Sequence, residues 1–217
     1  MIAKNTIHLI FDFDGTLVDS FGTVVEKFNL IADEYAFKKI DNQEINHLKE
    51  FMSKELIKYL KIPLYKIPSV INKARAVMRD EMHLLSPFTF VPEMLQELVK
   101  AKITLGILTS NSLENVTEWL KCHNLQHFFD FIQVDSSYFG KKNKLMSILK
   151  SYQLDKTNTF YAGDETRDIE AAKASGVRSI AVTWGFNSER ILAQFEPDYI
   201  ARQPADILDI FKRDDQL

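Results

Sequence analysis

Short apolar, β-rich runs recur along the chain at 7–13, 104–108, 131–134, 159–162 and 179–183, and most of the segments between them carry helical periodicity. In 92–102 the apolar residues Met94, Leu95 and Leu98 share one face, and in 113–123 Val116, Trp119 and Leu120 do so. A third predicted helix, 167–175, is stopped by Gly176, which suits the left-handed position after a helix end. This alternation predicts an α/β fold, a doubly wound parallel sheet with helices on both faces. Ligands of such sheets meet the carboxyl ends of the strands.

One stretch breaks the rhythm. Residues 20–86 contain no convincing strand and one glycine, Gly22. Phe21, Val24, Val25, Phe28, Ile31, Ala32 and Tyr35 follow the helical period, as do Ala74, Val77, Met78 and Leu85. A length of 217 residues accommodates one domain with an insert but not two full-sized domains. The expected organisation is a core of 1–19 and 87–217 with a small all-helical cap of 20–86. The insert carries eleven basic and nine acidic side chains, net +2, against −5 for the rest. At this size the difference reads as scatter rather than as a basic lid.

Charge and cysteine usage exclude several classes. Lys+Arg 27 against Asp+Glu 30 leaves −3, which offers no attraction to a nucleic acid or an acidic membrane surface. The single cysteine, Cys122, rules out an internal disulfide or a CxxC site and suits a reducing compartment. The run 7–13 contains His8 and ends in acid, so it is neither an export signal nor a membrane span. A cytoplasmic, soluble protein is expected.

The strongest local signal is DFDGTLVDS, which places Asp12 and Asp14 two residues apart at the end of the first strand. Adjacent carboxylates repel each other unless a cation lies between them, and oxygen ligands favour Mg²⁺. Three more elements follow later strands: LGILTSN with Thr109, Ser110 and Asn111; FGKKNK with Lys141, Lys142 and Lys144; and YAGDETRD with Asp164 and Asp168. Taken singly they read as a helix N-cap, a solvated lysine cluster and favourable charge at a helix N-terminus. Their convergence on one sheet edge is what those separate readings leave unexplained.

In this order the four motifs resemble those of the haloacid dehalogenase-like superfamily, and the helical insert lies where its capped members carry theirs. The resemblance covers essentially the whole chain. It implies a Rossmann-like core and a phosphatase acting on a small-molecule phosphate ester with Mg²⁺. Asp12 would be the nucleophile that becomes an aspartyl phosphate, and Asp14 the acid and base. Asp12 and Asp164 would ligate the metal through side chains, Asp14 through its carbonyl, and Asp168 directly or through water. Thr109 and Lys141 would hold the phosphoryl oxygens, with Ser110 and Asn111 beside them.

Two departures stand out. No proline follows Lys141, so the phosphate lysine could be Lys142 or Lys144, and Glu165 stands where many members have Ser or Thr. The second aspartate, Asp14, disfavours the dehalogenase and phosphonate-cleaving branches. TLVDS, TWGFNS at 183–188 and PDYI are most similar to the phosphoglycolate phosphatase group, which suggests phosphoglycolate or a sugar phosphate. A phosphomutase on the same fold and a phospho-acceptor signalling domain are the alternatives. The chain is expected to be a monomer or weak homodimer.

Smaller features have plainer readings. His123 and His127 fall where a helix should be ending, without a carboxylate companion, and Cys122 reads as a packed small residue. Phe21, Phe51, Phe128, Phe129 and Phe131 read as core, and Trp184 and Gly185 should lie near the site.

Overall fold

The computed structural model describes residues 6–135 and 140–213. Among the described residues six strands, β1 (His8–Phe11), β2 (Thr104–Thr109), β3 (Phe131–Val134), β4 (Thr159–Gly163), β5 (Arg178–Val182) and β6 (Tyr199–Ala201), pair in the order β3-β2-β1-β4-β5-β6. All pairs are parallel. The order reverses between β1 and β4, so β1 ends at the crevice where doubly wound sheets take their ligands.

The helices are α1 (Phe21–Tyr35), α2 (Ile45–Leu48), α3 (Ser53–Tyr59), α4 (Ile67–Met78), α5 (Val91–Lys100), α6 (Leu113–Cys122), α7 (Lys141–Ser151), α8 (Thr166–Ser175), α9 (Glu189–Ala193) and α10 (Pro204–Arg213). Successive side chains of a strand point to opposite faces. Leu9 and Phe11 therefore pack with Leu95 and Leu98 of α5, Val116 and Trp119 of α6 and Phe211 of α10. Ile10 and Tyr161 instead join Leu145, Ile148 and Leu149 of α7 and Ala172 of α8. Among the described residues no helix is long and apolar enough to cross a membrane.

The insert lies between β1 and α5 and contains α1 to α4, with 3₁₀ turns between α1 and α2, between α3 and α4 and after α4. Its entry and exit are pinned together: Val18 bridges Pro87, Asp19 N donates to Ser86 O at 3.0 Å, and Phe88 N donates to Leu17 O at 3.1 Å.

Three readings change. Strand β6 escaped the sequence because three residues are too few to carry a period, and it forms by pairing with β5. The helical pattern does not continue to Leu85: α4 ends at Met78, a 3₁₀ turn follows, and Leu85 is extended. The Leu85 carbonyl instead accepts from Trp119 Nε1 at 2.7 Å and bonds His123 Nε2 at 2.8 Å. Cys122 is exposed rather than packed, because it lies about 200° around α6 from the buried Leu120.

The aromatic residues bear out a structural role. Phe131 is buried, Phe128 and Phe129 pack against the core, and Phe51 makes edge contacts with His47 and Tyr59. Phe21 lies edge-on to Phe186, and His127 packs on Phe128.

Candidate active site

Register brings the four motifs level. Phe11 pairs with Ile107 on one side and Ala162 on the other, so Asp12 leaves β1 between the ends of β2 and β4. Asp12 N donates to Ala162 O at 2.8 Å, which holds the backbone in line with the sheet one residue beyond the strand. Gly15 then turns the chain with φ 75°, in the left-handed region that glycine enters without strain.

Lys141 opens α7 and is buried, with Nζ 2.6 Å from Asp12 Oδ2 and 2.5 Å from Asp168 Oδ1. Lys142 is exposed, so among these lysines the structure sets Lys141 against the carboxylates. Phe139, the first residue of FGKKNK, lies outside the described residues. Burial pulls the Lys141 ammonium down, but Asp12 and Asp168 more than offset this, so its pKa stands above the ordinary value.

Asp164 is fully buried at the end of β4. Its Oδ1 accepts from Thr16 Oγ1 at 2.8 Å and its Oδ2 from Phe186 N at 2.7 Å. Gly15 and Gly185 flank it, and a Cβ on either would overlap the Asp164 carboxylate. Trp184 and Gly185 help build this floor: Trp184 Nε1 donates to Thr16 O at 3.0 Å, and Gly185 O accepts from Lys49 Nζ at 2.9 Å. Asp168 serves α8 and the cluster together, since Oδ2 accepts from Glu165 N at 3.0 Å while Oδ1 meets Lys141.

The ligating oxygens of Asp12, Asp164 and Asp168 lie within 4.8 Å of one another. Burial pushes Asp12 up to about 7 against the pull of Lys141, and Asp164 rises well above the ordinary range through burial and the charge of Asp12. Three buried carboxylates facing one ammonium are short of positive charge. An all-oxygen set of this kind fits a hard divalent cation such as Mg²⁺.

Asp14 sits at the cluster's outer side. Asn111 Nδ2 donates to its Oδ2 at 2.9 Å, while Oδ1 is buried without a hydrogen bond. Burial raises the Asp14 pKa, and the Asn111 bond opposes the rise. Thr109 ends β2 buried, its Oγ1 accepting from Asn111 N at 2.9 Å. Ser110 lines the adjoining cavity, and its carbonyl accepts from Arg75 of α4.

Residues of the insert, and Thr16, are the components that sequence reasoning missed. Arg75 also reaches Asp135 O at 3.3 Å, and Lys49 O accepts from Ser188 N at 3.0 Å. Glu165, the departure from the family pattern, accepts from Arg167 Nε at 2.9 Å and from Ser53 Oγ of α3 at 3.3 Å. Thr16 was legible as part of DFDGTLVDS; Arg75 and Lys49 carried no local signal.

Fold and site together define a doubly wound α/β protein with a buried, lysine-bearing carboxylate cluster at the switch point of its sheet. The family model for haloacid dehalogenase-like hydrolases matches residues 9–182. A phosphoglycolate phosphatase of Synechococcus elongatus is 32% identical over 200 residues, spanning 92% of this chain and 94% of that protein. The pyrophosphatase PpaX of Bacillus velezensis is 26% identical over 223 residues, spanning 97% and 98%. A haloacid dehalogenase-like hydrolase from Streptococcus pneumoniae shares the fold with a TM-score of 0.79 at 24% identity, over 95% of this chain and 99% of that one. The chain belongs to the haloacid dehalogenase-like hydrolase family.

Proposed function

We propose that the protein is a Mg²⁺-dependent phosphatase that hydrolyses a small phosphorylated metabolite through an aspartyl phosphate on Asp12. The observation that carries this reading is the Asp12, Asp164 and Asp168 cluster, with Lys141 against it, at the head of a cavity that Asp12 and Asp14 also line. The relatives named as phosphoglycolate phosphatase and pyrophosphatase support phosphoryl chemistry and differ in leaving group.

Phosphate monoesters are among the slowest substrates to hydrolyse unaided, with enzymes accelerating them by up to about 10²¹-fold, so several groups must act together. Asp12 attacks phosphorus, forming an acyl phosphate as the bond to the leaving oxygen breaks. Asp14, whose raised pKa lets it hold a proton, gives that proton to the leaving oxygen. It then takes one from the water that cleaves the aspartyl phosphate, and Asp12 is released. Lys141 and Thr109 receive the phosphoryl oxygens, with Ser110 and Asn111 beside them. Asp12 and Asp164 side chains and the Asp14 carbonyl would hold Mg²⁺, supported by Asp168. The ion supplies charge neutralisation at the phosphoryl oxygens.

Residues 20–86 act as a cap over a core of 1–19 and 87–217, and closure excludes bulk water from the aspartyl phosphate. The hinge for that closure would lie at the two adjoining connections, Asp19 and Ser20 on one and Ser86 and Pro87 on the other. A cytoplasmic setting agrees with a lone, unpaired cysteine.

The test is phosphate release from a panel of esters, with Mg²⁺ and with chelator. Full activity in Asp12→Asn would sink the nucleophile assignment, and full activity in Asp14→Asn would undo the acid and base role.

A further inference from the structure

The cavity below the carboxylates measures about 270 Å³ and runs into the helical insert. Beyond Asp12, Asp14, Ser110, Asn111 and Glu165, its wall is mostly hydrocarbon: Phe28, Leu60, Ile67, Val70, Ile71 and Met78, with further apolar side chains beside them. Three cations also line it, and each already has acceptors on the protein. Lys27 Nζ lies 2.5 Å from Glu81 and 3.2 Å from Glu26. Arg75 donates to the Ser110 and Asp135 carbonyls while its Nε is buried without a partner, and Arg167 donates to Glu165.

A row of hydroxyls or a carboxylate entering the aliphatic part of this space would exchange water for apolar walls, leaving most of its polar groups without partners. A hydrocarbon would gain by the same exchange. Apolar cavities stay dry, and about 150 Å³ is enough for a benzene ring, so this one has room for a short alkyl chain or an aromatic ring.

We infer that the leaving group of the substrate is apolar, an alkyl or aryl alcohol esterified to phosphate, with its phosphoryl group at Asp12 and its hydrocarbon among the side chains of α1, α4 and Leu60. This inference rests on the phosphatase reading above. It narrows that reading to a substrate class, because the polar end of the cavity is filled by the phosphoryl group itself.

The test compares kcat/KM, with Mg²⁺ present, for n-alkyl phosphates from methyl to hexyl against phosphoglycolate and glycerol phosphate. Each added methylene should raise kcat/KM by about fourfold until the cavity is filled. Phosphoglycolate and glycerol phosphate should fall below butyl phosphate. A flat series, or a preference for either polar ester, overturns the inference.

Calorimetric binding of the matching alkylphosphonates gives a readout independent of turnover. Affinity that rises with chain length while no ester is hydrolysed would defeat the phosphatase reading and leave the apolar cavity standing; affinity without chain-length dependence defeats the cavity argument. Ala74→Phe, which adds bulk at the lining, should lower the hexyl-to-methyl ratio of kcat/KM, and an unchanged ratio counts against the site. The phosphonate series on the native chain decides the question should that variant misfold.

Discussion

Asn111 Nδ2 donates to Asp14 Oδ2 at 2.9 Å across 97 positions of sequence, and the amide has little freedom to turn away. Its Oδ1 accepts from Ser112 N at 2.8 Å and from Asn115 Nδ2 at 3.0 Å, so the oxygen is committed and the amino group faces the carboxyl. The loop after β2 thereby holds the proposed acid and base by one oxygen, while the other is buried without a hydrogen bond.

Asn111→Ala removes the bond that opposes burial at Asp14, so the Asp14 pKa rises further. The limb of the pH–rate profile that belongs to Asp14 should move to higher pH, with kcat lowered by about tenfold. Profiles of the two proteins measured side by side decide this. Coincident limbs would leave Asn111 without a role in proton transfer.

Lys141 and Lys142 are neighbours with opposite surroundings, one buried between carboxylates and one exposed. Removing one partner of a buried ion pair costs about 3–5 kcal/mol, whereas an exposed substitution stays within about 0.5 kcal/mol. Urea unfolding of Lys141→Met and Lys142→Ala should show that contrast, and phosphate release should be lost only in Lys141→Met. Equal losses of activity would reopen the assignment of the phosphate lysine.

Metal binding should depend on pH in a defined direction. Without a cation, burial lifts the folded-state pKa of Asp12 from 3.8 to about 7. The folded chain then keeps a proton that the unfolded chain has released, so this contribution to stability is complete below 3.8 and is lost as pH rises through about 7. Mg²⁺ competes with that proton. The rise in Tm on adding Mg²⁺ should be larger at about pH 8 than at about pH 5.5, and Asp12→Asn should reduce it. A shift that is larger at the lower pH would contradict the cation site.

Gly185→Ala would drive a methyl group into the Asp164 carboxylate and the Gly15 carbonyl, whereas a Cβ at Gly22 meets open space. The first should cost about 1–3 kcal/mol and weaken the Mg²⁺-induced rise in Tm; the second should change neither by much. Thermal melts of both variants, with and without Mg²⁺, make the comparison. Equal melts would mean that the floor under Asp164 yields more readily than its packing implies.

Much of this was readable along the chain. Five of the six strands were anticipated, because a buried strand needs an uninterrupted apolar run and leaves a local trace. Asp12 and Asp164 were readable for the same reason: each stands at a strand end, and parallel strands bring their carboxyl ends to one edge. Asp168 was visible as a helix-terminal acid, although its bond to Lys141 was not.

The remainder came from pairings between distant segments, which leave no period. β6 exists through its neighbour, and Cys122 is exposed because α6 turns another side to the core. Nothing in the local pattern around Arg75 or Lys49 indicates that they meet Ser110 and Gly185, 35 and 136 positions away. Nor does the helical period of the insert distinguish side chains that fill its interior from those that wall a cavity, since both are apolar and both face inward. Composition and spacing thus set the kind of sheet and the chemistry at its edge. Long-range packing chose which lysine meets Asp12, what shields Asp164, and how much hydrocarbon lies beside them, because those depend on the distances at which separate elements come to rest.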